Sequence, residues 1–90
     1  MVADLNEKTI RYKLLFEKAL NNTKFTNNDE LNFNPNLANE FYTMAKAYYD
    51  DAIHFIKIND LVNALACLNY GHAWLDAGIR AGIFYTIAEK

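Results

Sequence analysis

Apolar residues recur along this chain at spacings of three and four, and the places where that rhythm breaks divide it into three predicted helices. The most regular stretch runs from Asp60 to Gly82, where Leu61, Ala64, Leu65, Leu68, Gly71, Leu75, Gly78, Ile79 and Gly82 share one face. Asp60 suits the start, because its carboxylate can accept from unpaired backbone N–H groups and meets the positive end of the helix dipole. Gly82 suits a left-handed stop, with Ile83 or Phe84 folding back over the last turn and a short tail beyond. A second stripe of Leu37, Ala38, Phe41, Met44, Ala45, Tyr48, Ala52, Phe55 and Ile56 predicts a helix over 35–57, with Asn34 as its cap and Pro35 at the first helical position. Only Ile58 and Asn59 separate the two, so they must fold back as an antiparallel hairpin.

Upstream, Asp4 and Glu7 fit a capping box that opens a helix over 4–20, with Leu5, Tyr12, Leu15, Phe16, Ala19 and Leu20 toward the core. Between the first two helices the periodicity stops. Residues 21–34, NNTKFTNNDELNFN, are polar and rich in Asn, which closes local turns on itself, and they predict a long loop. Phe25, Leu31 and Phe33 are placed to pin it to the helices as a strap. The expected fold is all-α: one domain over 1–90, a three-helix up-and-down bundle built on a long antiparallel hairpin.

This pattern leaves apolar residues over. Ile10 and Leu14 fall outside the core arc of the first helix, and Val62, Ala66, Tyr70, Ala73 and Ala77 form a second strip on the back of the third. A helix apolar nearly all round tends to be covered on more than one side. These seven residues are therefore the candidate interface, for a protein partner or a second copy.

The polar candidates lie along one edge of the third helix: Asn69, His72, Asp76 and Arg80. In an antiparallel hairpin centred near Asn59, facing residues have numbers that sum to about 120, which brings Tyr48 toward His72, Asp51 toward Asn69 and Glu40 toward Arg80. The reading of this seam is a set of pairs that fix helix register, since buried polar groups persist only when paired. Its alternative is a small-ligand or catalytic site using Tyr48, His72, Asp76 and Arg80. A metal site of Asp51, His54, His72 and Asp76 is disfavoured, because His54 falls about 9 Å along the axis from His72 and the helical HExxH and ExxH arrangements are absent. No catalytic, cofactor-binding or metal-ligating residue is assigned, and a non-enzymatic role is favoured.

Composition narrows the classes further. With 90 residues, 52% hydrophobic and 22% charged, the chain can bury a core without staples. A net charge of −2 without basic clusters argues against nonspecific binding to nucleic acid or anionic membrane. A single Cys and an N-terminus charged from its fourth residue suggest a reducing, cytoplasmic setting, and no apolar run reaches the ~20 residues a bilayer requires. Cys67 is expected to pack near Trp74. The chain shows no Gly-rich phosphate loop and no CxxC.

The hairpin carries two resemblances. Tyr48, Ala52, Phe55, Ala64, Leu68 and Gly71 are spaced as in one tetratricopeptide unit, but one copy does not make a peptide-binding superhelix. More specifically, Ala45 to Phe84, above all NDLVNALACLNYGHAWLDAGIRAGIF, resembles an archaeal family of short proteins known as domain of unknown function 357. The features that carry it are paired tyrosines and Asp on an amphipathic helix, a tight Asn-Asp turn, Ala-Leu-Ala-x-Leu-Asn-Tyr and Trp-Leu-Asp-Ala-Gly. That resemblance implies a three-helix up-and-down bundle of archaeal origin, with no assigned activity and no functional residues to carry over. The function expected from the whole is a protein-interaction or self-associating module.

Overall fold

The computed structural model describes residues 4–26 and 36–87. In chain order these form α1 (Leu5–Asn22), β1 (Thr23–Phe25), α2 (Leu37–Lys57), α3 (Leu61–Arg80) and β2 (Phe84–Thr86). The protein is mostly helical, with one small sheet added.

Each helix start follows from a side chain that serves free N–H groups. Asp4 accepts from the Glu7 N–H at 3.2 Å, and Asp60 accepts from the Asn63 N–H at 3.3 Å and the Asn63 side-chain amide at 2.7 Å. The α2 cap position is Asn36; Asn34 and Pro35, expected at that start, lie outside the described residues, as do Leu31 and Phe33.

Both hairpin helices end in the same backbone motif. After α2, Asn59 adopts φ 60°, its N–H donates to the Ile56 carbonyl at 3.0 Å, and the Asp60 N–H reaches the Phe55 carbonyl at 2.8 Å. After α3, Gly82 adopts φ 82°, its N–H donates to Ile79 at 3.1 Å, and the Ile83 N–H reaches Gly78 at 3.0 Å. These bonds satisfy carbonyls that a helix end otherwise leaves open, and the left-handed position favours Gly or Asn. The last helical residue is Arg80, two short of the expected Gly82.

Two expectations are corrected at the chain's less regular stretches. The segment after Gly82 is not a loose tail: Ile83 and Phe84 are 0% and 2% exposed, and Phe84–Thr86 pairs antiparallel with Thr23–Phe25. The loop expected from residue 21 likewise begins later, because α1 runs to Asn22 and a strand follows it. Thr23 donates its hydroxyl to the Ala19 carbonyl at 2.7 Å, closing the helix end while its own backbone extends into the ladder. The register Thr23 with Thr86 and Phe25 with Phe84 is continued by the Thr26 N–H to Ile83 and the Ile87 N–H to Asn22. Three-residue strands are too short for an alternating pattern to stand out against Asn-rich sequence.

α3 lies between the other elements: α1 and α2 both pack on it, and β2 covers its C-terminal end. On α2 the residues buried deepest are small, Ala38, Ala45 and Ala52, seven apart. They let α2 and α3 approach closely, while Phe41, Tyr48 and Phe55 flank the seam. Leu15, Met44 and Ile79, which periodicity places toward the core, are 49%, 39% and 39% exposed, because the true contact arcs are narrower than the apolar stripes. Gly71 marks the tightest crossing: a Cβ there would stand 2.5 Å from the Phe16 ring and 3.0 Å from the Tyr48 Cβ. Its smallness therefore serves α1 as well as the hairpin.

Candidate interaction surface

The close α2–α3 approach leaves no room for large rings between the helices, so they spread along one outer side of the seam. Phe41 and Trp74 meet edge to face at 5.0 Å. With Asn39, Glu40, Thr43 and Met44 they line an open groove of about 420 Å³. Trp74 is also a wall of the next hollow, about 290 Å³, shared with Tyr48, Tyr70, Ala73 and Ala77. There the Tyr48 and Tyr70 rings lie 5.8 Å apart. One continuous aromatic channel results, running along the hairpin.

The strip on the back of α3 adjoins this channel. Val62 and Tyr70 are 68% and 62% exposed, Ala73 and Ala77 are exposed, and Ala66 is half-buried. Ile10 and Leu14 are also exposed, but they line a separate groove with Asp4, Asn6, Glu7 and Arg11. The helix rotation explains the separation. Leu14 lies about 200° round α1 from Phe16, and Ala73 about 200° round α3 from Gly71. Phe16 and Gly71 face each other, so the two strips point to opposite sides of the molecule and do not form one surface.

The polar seam is not brought together. Tyr48 turns to Tyr70 and not to His72, which instead stacks on Phe16 at 5.8 Å. His72 Nε2 lies 4.0 Å from the Asp76 carboxylate, with that carboxylate side chain 66% exposed. Glu40, Asp51, Asn69 and Arg80 are exposed and form no convergent cluster. Register arithmetic placed His72 on the wrong neighbour because it considered only the hairpin; α1 occupies that side of α3. Among the described residues no group of three or more His, Cys, Asp or Glu is placed to hold a metal.

A polar tie between α1 and α2 escaped the sequence reading. The Tyr49 hydroxyl donates to Glu17, whose carboxylate also lies 2.7 Å from the Lys13 ammonium, and the Lys46 ammonium sits 5.4 Å from the Tyr49 ring centre. Hydrogen bonds from Lys13 and then Tyr49 hold Glu17 below the usual carboxylate range. Burial, followed by the Glu17 carboxylate, pushes Tyr49 up to about 12. The available signal was the adjacent pair Tyr48 and Tyr49, about 100° apart on the helix and so facing different neighbours. Cys67 is half-buried, and burial together with the Asp51 charge raises its thiol, leaving it a packing residue.

Helices closed by a two-strand clamp, with an open aromatic channel in place of an enclosed cleft, define a small helical protein without an assembled catalytic centre among its described residues. The chain belongs to the family described as Protein of unknown function (DUF357), whose family model matches residues 11–84. Protein AF1782 from Archaeoglobus fulgidus, a DUF357 protein of known crystal structure, superposes with a TM-score of 0.73 at 22% identity, over 92% of this chain and 93% of that one. At that identity the likeness shows the fold alone. No curated protein matches the chain.

Proposed function

We propose that this protein is a non-enzymatic, cytoplasmic interaction module: an up-and-down three-helix bundle that docks another protein chain on its aromatic channel and the adjoining face of α3. The observation that carries the reading is the channel itself. Trp and Tyr are the side chains that most often anchor protein interfaces, and Trp74 and Tyr70 stand beside Ala73 and Ala77, which leave a partner backbone room to approach. Val62 and Ala66 extend the contact; Ile10 and Leu14 would form a second, independent one. The alternative, ligand binding or catalysis by Tyr48, His72, Asp76 and Arg80, has no convergent arrangement behind it.

Sedimentation velocity at micromolar concentration tests whether the docked chain is a second copy, and Tyr70→Lys should then convert dimer to monomer. A photo-crosslinking residue in place of Ala73, used in cells that naturally make the protein, reports other partners. A discrete adduct at Ala73, missing when the crosslinker replaces exposed Asn6, is expected. Monomeric sedimentation together with no adduct at Ala73 would overturn the reading.

A further inference from the structure

The channel has charge as well as shape. Glu40 lines the end formed by Phe41, Met44 and Trp74. Asp51 stands one turn beyond Tyr48, exposed, at the other end. Its charge reaches Cys67, which places it on the α3 side of α2. The two carboxylates are about 16 Å apart along the helix, some three turns.

The cations of α2 are elsewhere: Lys46 sits over Tyr49 and shares a polar hollow with Glu17 on the α1 side, and Lys57 lies about 180° round the helix from Tyr48. Arg80, the only Lys or Arg on α3, comes after the last lining residue, Ala77. The channel is therefore an apolar floor with acidic ends.

We infer that the occupant of this channel is an amphipathic helix of a partner protein, with apolar anchors toward Trp74 and Tyr70 and basic residues about three turns apart that meet Glu40 and Asp51. The inference rests on the interaction reading above and names its partner class. An apolar groove beside acidic groups selects basic amphipathic helices by the same physics that lets charged rims set register and exclude wrong partners. An anionic lipid surface would be repelled by the same carboxylates.

Trp74 is the only tryptophan of the chain, so its emission reports the channel directly. The probes are two synthetic amphipathic peptides without Trp, with the same leucine face, one carrying Lys and the other Glu on its polar side. The Leu/Lys peptide should shift Trp74 emission to shorter wavelength, bind about tenfold tighter than the Leu/Glu peptide, and weaken as salt is added. Glu40→Lys combined with Asp51→Lys, both on exposed positions, should reverse the preference while the far-ultraviolet dichroism stays unchanged. Equal binding of both peptides would overturn the basic partner and leave the interaction module standing. No Trp74 response to either peptide, a response to anionic vesicles alone, or a dimer that buries Trp74 would also overturn it.

Discussion

Phe16 is the residue on which the packing turns. It is fully buried, its ring fills the space above Gly71, and it touches Tyr49 from α2 and His72 from α3. Gly71→Leu should destabilise the fold by about 1 to 3 kcal/mol through overpacking, measured by denaturant unfolding. In a Phe16→Ala background, itself costing about 3 to 5 kcal/mol, the penalty should shrink, because the two residues share one space. Unchanged stability of Gly71→Leu would show that α1 does not approach α3 there.

Tyr49 and Glu17 make a second residue-scale prediction, for pH. Tyr49 binds its proton more tightly when folded, so its contribution is complete below the ordinary value of 10.0 and is lost as pH rises toward about 12. Glu17 binds its proton less tightly when folded, so its contribution is present above the usual carboxylate range and is lost as pH falls through the lowered value. Tyr49→Phe should flatten the alkaline fall in melting temperature between these two pH values. A fall as steep as in the unaltered protein would remove the Tyr49–Glu17 bond from the account.

At the scale of elements, the short sheet ties the end of α1 to the end of α3. Phe84 packs so closely on Gly78 that its ring occupies the place of a Cβ there, and it stacks on Phe25 at 5.5 Å. Strand alternation turns the next residue, Tyr85, outward at 55% exposure. Phe84→Ala should therefore cost about 3 to 5 kcal/mol, and Tyr85→Ser should stay within about 0.5 kcal/mol of the unaltered protein. Thermal and denaturant unfolding of the pair would check the difference. Similar small effects would mean that β2 is not part of the cooperative core.

For the whole molecule, what matters is that its surplus apolar residues point two ways. The α3 face and its channel look outward on one side, and Ile10 with Leu14 on the other. Association through the channel should therefore respond to Tyr70→Lys and be indifferent to Leu14→Lys. Both substitutions should leave folding stability within about 0.5 kcal/mol, since both side chains are already exposed. Equal loss of association in the two variants would indicate a contact spanning both faces, which the helix rotations do not allow.

The sequence by itself determined what local chemistry can enforce. Asp4 and Asp60 mark two helix starts, Gly82 a left-handed stop, the Ile58–Asn59 link a hairpin, and the resemblance over Ala45–Phe84 the family. These depend on hydrogen bonds within a few residues, so they can be read in a linear order. Tertiary structure alone decided that Phe16 and not Tyr48 meets His72, that Tyr49 reaches Glu17, and that Phe84 closes over Gly78 beside a strand formed by Thr23–Phe25. Each joins residues distant in the chain, and a helical stripe says which side is apolar without saying which neighbour will cover it.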